Sequence, residues 1–350
     1  LAIPMAGCLL AALAARRIDR VLNGGEGWAA FWLVGAAGPA LFYAGDFWEH
    51  APALGLALLA VSLALDAETP ARGAIVGLAA GLAVVLRAEM LLYGGVFVLA
   101  SLVVGAERRR WVARPKVVLA GVAAAGAAVL GNTLVERLLL DEGVRAARAG
   151  STVSSAGAGL TGRVTDAFVT GVGLFAGDDP AVLLCGALLV GCLLLVAARI
   201  VWPEVVSGRI AVAAGTVAGL LVLLRFSVGL GFVPGAFAAV PLAALGALAV
   251  RRPQERVLAA TAIGALPVVW MLAWQGNHVA QWGGRYLLLS GALLTVLAVG
   301  PARRAGWATP PVLFLTGLTV VLAAFGLAWH VQRTDRVAEA VTRVEAVADD

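Results

Sequence analysis

The chain has 350 residues, of which 61% are hydrophobic and only 13% are charged. Soluble globular proteins carry roughly 25% charged residues, so this composition excludes a soluble domain and indicates a protein surrounded by lipid. The net charge of +5 comes from short arginine clusters between apolar runs. Because these clusters form no continuous basic surface, they are typical of orientation signals in a membrane and do not indicate nucleic-acid binding.

The apolar runs predict an all-α fold, a polytopic bundle of transmembrane helices. A spanning helix needs about 20 apolar residues, and shorter runs are tolerated inside a bundle. The candidate spans, about twelve in all, lie at 1–15, 26–44, 51–66, 73–86, 90–105, 117–131, 181–201, 210–226, 234–250, 257–274, 286–300 and 308–329. The division between the fourth and the fifth run is the least distinct.

The connections between these runs alternate in charge, one set being rich in bases and poor in acids. The basic residues of that set are Arg16, Arg17, Arg20, Arg72, Arg108, Arg109, Arg110, Arg114, Lys116, Arg199, Arg209, Arg251, Arg252, Arg256, Arg303 and Arg304. Cytoplasmic loops of membrane proteins carry an excess of Lys and Arg. The base-rich connections are therefore predicted to be cytoplasmic, and the other set is predicted to face outside.

The domain organisation predicted from these runs is a bundle over 1–329 and an extracytoplasmic helical tail over 330–350. The bundle includes an outer loop at 132–180, whose first part, 134–149, has the spacing of a helix lying on the membrane surface. The chain opens at Leu1 inside an apolar run. We therefore expect one further helix and an outer loop before it, which would give about 13 spans in the intact protein.

The first polar group on the predicted outer side is Asp46, Glu49 and His50. If this stretch is helical, Asp46 lies one turn from the other two, and the three side chains share a face. Such a face could bind a divalent metal (Mg or Mn), orient a sugar hydroxyl or take a proton. The alternative is an aromatic belt at the membrane surface, since Phe47 and Trp48 lie between them.

The second group is Arg87 and Glu89, with apolar helix on both sides. An isolated Arg at bilayer depth costs roughly 2.5–3.5 kcal/mol on insertion scales, so the pair is predicted to lie at the outer surface or in a polar cavity. Two interpretations remain open. Arg87 could hold a phosphate, whose oxygens match a guanidinium, or the pair could join two helices.

The third group occupies the outer connection before the span at 286–300. Its polar and aromatic residues are Gln275, Asn277, His278, Gln281, Trp282, Arg285 and Tyr286. Amides and aromatic rings between glycine turns suit sugar hydroxyls and ring faces, and Arg285 could bind a phosphate. The alternative is an interfacial loop with belt tryptophans and an arginine that reaches towards water.

Weaker outer features are Arg225, the pair Asp178 and Asp179, and His330. The Asp pair is interpreted as the start of a helix, and His330 as an interfacial residue. The sequence contains no P-loop, GxSxG, HExxH or CxxC motif. Nearly every charge lies at a helix end, whereas ion-coupled transporters tend to carry charges at mid-membrane. This distribution favours an active site on the outer face over a transport pathway.

Three stretches together resemble a known family. Residues 42–54 run from aromatic residues through Trp-Glu-His into a small-residue helix, 77–89 read Gly-Leu-Ala…Arg-x-Glu, and 281–289 read Gln-Trp-Gly-Gly-Arg-Tyr-Leu-Leu-Leu. In this order they resemble the GT-C membrane glycosyltransferases, in the bacterial branch related to protein O-mannosyltransferases and aminoarabinose transferases. Leu289 stands where that branch commonly has Pro.

The resemblance implies a GT-C-like bundle with a cavity at the outer membrane face and a polyprenyl-phosphate sugar as donor. It implies that Asp46, Glu49 and His50 support catalysis and that Arg87 and Arg285 face the donor phosphate. Glu89 and the remaining polar residues of 275–286 would contact sugar or acceptor. The family's general base usually lies in the first outer loop, which we expect before Leu1.

The sequence thus predicts an inverting, multi-pass glycosyltransferase of the bacterial cytoplasmic membrane. Its partners would be a polyprenyl-phosphate-linked sugar and an envelope acceptor, which could be a lipid, a glycan or a protein. A divalent metal at Asp46 and Glu49 is the one cofactor that the residues suggest. Two other classes stay open: a transporter or flippase for a lipid-linked sugar, and a non-catalytic membrane subunit.

Overall fold

The computed structural model describes residues 2–46, 49–106, 115–140, 160–273 and 282–348, and within these ranges the fold is all-helical. The α-helices, in chain order, are α1 (Ala2–Asn23), α2 (Trp28–Gly35), α3 (Pro39–Gly45), α4 (His50–Ala64), α5 (Pro70–Leu86), α6 (Glu89–Ala106), α7 (Pro115–Leu140), α8 (Leu160–Val172), α9 (Pro180–Val201), α10 (Gly208–Ser227), α11 (Ala236–Ala239), α12 (Ala243–Leu248), α13 (Pro253–Ala273), α14 (Leu288–Ala305) and α15 (Pro310–Ala348). A 3₁₀ turn, Arg285–Leu287, leads into α14.

Five helical segments in the described ranges are long and apolar enough to cross a membrane, and α2 with α3 would make a sixth if this pair, bent by 50°, is one span. Three shorter apolar helices, α4, α5 and α6, lie below that length. The prediction of a helical membrane bundle is confirmed at this level. Twelve spans stay a prediction.

Small residues allow the helices of the N-terminal half to pack closely. A Cβ added to Gly77 of α5 would lie 1.8 Å from the Gly121 carbonyl oxygen of α7, and a Cβ on Gly73 or Gly81 would also meet the α7 backbone. Gly7 of α1 lies against α4 in the same way. Because lipid supplies little hydrophobic drive for helix association, such close backbone contact is what holds helices together in a membrane.

The centre of the bundle is α14, the most buried of the five long segments. The short helices α11 and α12 pack beside it, and a Cβ on Gly246 would meet the Leu294 carbonyl. The predicted span 234–250 is therefore wrong in its local form, since it is two short helices. The helix is interrupted at Val240 and Pro241, because Pro lacks an N–H and restricts the backbone of the residue before it.

Two other predicted boundaries change. The sequence predicts that the outer loop begins at residue 132, but α7 continues to Leu140, since nothing between 132 and 140 interrupts a helix. The tail from residue 330 is helical as predicted, yet it is no separate element, because α15 runs unbroken through Ala348. Helix α8 occupies part of the predicted loop, and residues 141–159 lie outside the described ranges.

Candidate functional site

An ion-paired triad lies where α4, α5 and α6 meet. Arg87 follows the last residue of α5, and its Nε donates to Glu89 Oε1 at 2.7 Å while its Nη1 donates to Glu49 Oε1 at 3.2 Å. Glu49 immediately precedes α4, and Glu89 is the first residue of α6. The Arg87 guanidinium therefore links the C-terminal end of α5 to the N-terminal ends of α4 and α6. Burial acts to lower the pKa of Arg87, but the charge and hydrogen bond of Glu89, together with Tyr286 and Glu49, hold the pKa above its ordinary value.

The segment before α14 lies beside this triad. The guanidinium carbon of Arg87 is 5.1 Å from the centre of the Tyr286 ring, and that of Arg285 is 4.8 Å from the same ring. Arg285 Nη2 also donates to the Tyr286 hydroxyl at 2.9 Å. The structure therefore brings together five residues that the sequence placed in three separate groups, namely Glu49, Arg87, Glu89, Arg285 and Tyr286.

Tyr43 fixes that segment to α3. Its hydroxyl donates to the Trp282 carbonyl at 2.9 Å and accepts from the Trp282 N–H at 3.1 Å. The His50 ring stacks on the Tyr43 ring with centroids 4.8 Å apart, and only 2% of His50 is exposed. In this structure the His50 ring is buried and packed against Tyr43. The predicted catalytic support by His50 stays a prediction.

Asp46, Glu49 and His50 do not share one helical face, because the helical stretch on which that prediction depended is not formed. Asp46 ends α3 with extended backbone, and α4 begins only at His50, so no single helix carries all three. Asp46 instead faces α15, where its carboxylate lies 3.8 Å from His330 Nδ1 and 3.8 Å from Arg333 Nη1. Asp46 and Glu49 therefore have different partners, since Asp46 faces His330 and Arg333 and Glu49 pairs with Arg87.

Trp282 does not line an open pocket. Its exposed fraction is 2%, and its ring stacks on Phe42, with centroids 5.5 Å apart, and lies against Trp329 and Phe325. A Cβ on Gly326 would lie 2.4 Å from this ring, so α15 approaches it closely. In this structure Trp282 is a packed residue with protein on its faces, and its predicted sugar contact stays a prediction.

Gln275, Asn277, His278 and Gln281, the other predicted sugar contacts, lie outside the described residues, as do Phe47 and Trp48. Within the described ranges no group of three His, Cys, Asp or Glu residues could hold a metal ion. A metal held by Asp46 and Glu49 stays a prediction.

Arg225 and Asp179 have structural partners. Arg225 lies in the last turn of α10 and is 5% exposed; its Nη1 donates to the Gly229 carbonyl at 2.9 Å and its Nη2 to the Phe232 carbonyl at 3.3 Å. Asp179 caps α9 by accepting from the Ala181 N–H at 2.8 Å. The interpretation of the Asp pair as a helix start is thus confirmed for Asp179.

A second charged cluster lies at the opposite end of the bundle. Asp19 is fully buried in α1, accepts from Asn23 at 2.7 Å, and pairs with Arg303 at 2.8 Å. Helix α14 has 18 residues, which makes it about 27 Å long at 1.5 Å per residue. We call the end with Arg87 and Arg285 the site end, and the end with Asp19 and Arg303 the opposite end.

Sequence reasoning missed the contacts that Tyr43 and Arg333 make. Tyr43 is 239 positions from its partner Trp282, and no local pattern links positions so far apart. A weak signal existed for Arg333, since it follows Trp329 by four residues and His330 by three, which places it on the same side of a helix as each of them. Comparisons with protein-family models, with curated proteins and with solved structures found no match.

Proposed function

We propose that this protein is a membrane glycosyltransferase that moves a sugar from a polyprenyl-phosphate donor to an envelope acceptor. The reaction would take place at the extracytoplasmic face of the bacterial cytoplasmic membrane, within a GT-C-like bundle of about twelve spans. The observation that carries the proposal is the meeting of Glu49, Arg87 and Arg285 beside an apolar cavity. A polyprenyl phosphate needs both parts, a charged site for its head and an apolar one for its chain.

The cavity has a volume of about 650 Å³ and lies among α4, α5, α6 and α7. Val84 and Met90, which line it, flank the turn that carries Arg87 and Glu89. At the other end of α5 the lining reaches Gly73, eleven residues and about 16 Å from Val84. Its walls are almost wholly alanine, valine, glycine and other apolar side chains, which suits an isoprenoid chain.

The two acids of the triad differ in exposure, and we assign them different roles. Glu89 is 4% exposed and is bound to Arg87, so this pair is suited to holding the site together. Glu49 is more accessible, with 31% of its side chain exposed, and in the proposal its carboxylate orients the reacting hydroxyl. Arg285 is the residue to which we assign the donor phosphate, because a guanidinium matches phosphate oxygens in pairs.

The test is sugar transfer by membranes that contain Arg285→Ala, with a radiolabelled polyprenyl-phosphate sugar as donor. Loss of a charge-assisted contact worth about 1.5–3 kcal/mol predicts a fall of roughly 10- to 160-fold. Arg336→Ala, on the exposed outer part of α15, is the matched control and should transfer at the wild-type rate. Transfer by Arg285→Ala within twofold of wild type would remove Arg285 from the proposal.

A flippase or transporter for a lipid-linked sugar is the second candidate, because Asp19, which is buried and paired with the more exposed Arg303, places a charged cluster at the other end as well. The two functions differ in their product. In proteoliposomes a glycosyltransferase forms a new glycosidic bond when donor and acceptor are both present, whereas a flippase moves the donor between leaflets with no acceptor. Movement abolished by Asp19→Asn, with no new bond in wild type, would favour the flippase.

A further inference from the structure

The opposite end of the bundle carries an arginine patch, which we define as Arg251, Arg252, Arg303 and Arg304. Arg252 donates to the Leu22 carbonyl, and Arg303 Nη1 donates to the Gly24 carbonyl at 3.2 Å. Both therefore contact the turn that ends α1. Arg251 and Arg304 are their chain neighbours, and Arg304 interacts electrostatically with Arg251 and Arg252.

The acids that contact the patch are turned inward. Asp19 is fully buried and pairs with Arg303. Glu255 is 6% exposed, and its Oε2 accepts from the backbone N–H groups of Arg251 and Arg252 at 2.8 and 2.9 Å. Two buried carboxylates thus face four arginines, and the outward side of the patch is positive.

Two arginines of the patch, Arg251 and Arg304, are exposed. Within the described residues, neither Arg251 nor Arg304 makes a side-chain hydrogen bond or ion pair. Arg304 lies in the last turn of α14, which belongs to a segment long enough to cross a membrane, so we expect its head at the depth of the lipid headgroups. Two exposed tryptophans, Trp28 with Arg16 stacked over its ring and Trp202 after α9, follow base-rich connections or helix ends, where interfacial tryptophans are common.

From this arrangement we propose that the arginine patch binds the phosphate of an anionic phospholipid in the adjacent leaflet. The glycerophosphate group would lie between Arg251 and Arg304, while the acyl chains extend along the apolar outer face of the bundle. A phospholipid fits better than a soluble anion, because its phosphate is held at this depth by the membrane itself. The inference does not depend on the glycosyltransferase proposal, since it concerns the end about 27 Å from Arg285.

The test is native mass spectrometry of the purified protein in mixed micelles of phosphatidylglycerol and phosphatidylcholine. Wild type should retain phosphatidylglycerol preferentially, and the double variant Arg251→Gln/Arg304→Gln should bind it about 30-fold more weakly, because each arginine near an anionic surface contributes about fivefold. Both side chains are exposed and make no bonds in the described structure, so the variant should unfold at the wild-type temperature.

The control removes the same charge elsewhere. Arg336→Gln/Arg343→Gln lies on the exposed outer part of α15 and should keep the wild-type lipid preference. An unchanged preference in the patch variant, or an equal loss in the control, would overturn the proposal. So would competition by soluble glycerol phosphate at equal concentration, since that would define a phosphate site without a lipid requirement.

Discussion

Arg87 is the residue on which the site end most depends for stability. Glu89 is buried, and Arg87 is its partner at 2.7 Å. Arg87→Gln would leave a carboxylate uncompensated in the interior, and breaking such a buried pair costs about 3–5 kcal/mol. We expect that loss in the free energy of unfolding, measured by denaturant titration in detergent micelles.

A second variant separates the pair from general damage. Arg343→Gln removes an arginine whose partner Glu339 lies 3.7 Å away on the same helix, with both side chains mostly exposed. Exposed pairs contribute about 0–1 kcal/mol, so this variant should unfold nearly like wild type. Equal effects at the two positions would show that the triad does not stabilise the bundle.

The sequence predicted that charged residues gather at the site end, but it did not predict which partner each of them has. Arg87 and Glu89 are two positions apart, so their contact followed from local spacing. Asp46 and Glu49 are equally local, yet they diverge, because the break between α3 and α4 turns Asp46 towards His330. Neither composition nor hydropathy reports a break of that kind.

The close contact between helices α5 and α7 predicts how a substitution at Gly77 changes stability. Gly77→Ala places a Cβ against the Gly121 carbonyl oxygen, at 1.8 Å if nothing moves. The two helices must separate, and overpacking of this kind typically costs about 1–3 kcal/mol. We expect a matching fall in the free energy of unfolding in micelles.

Gly126 of α7 is the matched control, since nothing lies within 4 Å of a Cβ built there. Gly126→Ala should be neutral or stabilise by up to about 1 kcal/mol, because alanine favours a helix over glycine. If the two alanine variants were equally stable, close packing of α5 on α7 would not contribute to the fold.

The short helices α11 and α12 show why hydropathy finds apolar segments but misses their shape. Residues 234–250 are apolar throughout and read as one span. Pro241 removes a backbone donor, and the Leu242 N–H left unpaired by the break donates to Thr319 Oγ1 of α15 at 3.0 Å. An interruption inside a membrane is tolerated where a neighbouring helix supplies the missing bond, and that neighbour is 77 positions away.

For the whole molecule, the central question is whether this broken segment crosses the bundle. Val233, before it, accepts from the Gly283 N–H at the site end, at 2.8 Å. Arg252, after it, donates to the Leu22 carbonyl at the opposite end. The segment therefore joins the two ends although neither short helix could span a membrane alone. This path keeps the alternation of connections that the distribution of arginines predicts.

Cysteine labelling tests that alternation in a membrane. With Cys8, Cys185 and Cys192 replaced by Ala, single cysteines at Arg209, Arg251 and Val341 would be exposed to a membrane-impermeant maleimide on spheroplasts. If 234–250 crosses and the base-rich connections are cytoplasmic, Val341→Cys reacts at once. Arg209→Cys and Arg251→Cys should then react only after the membrane is permeabilised. Opposite accessibility of Arg209→Cys and Arg251→Cys would mean that α11 and α12 re-enter on one side, and the sidedness of every later connection would reverse.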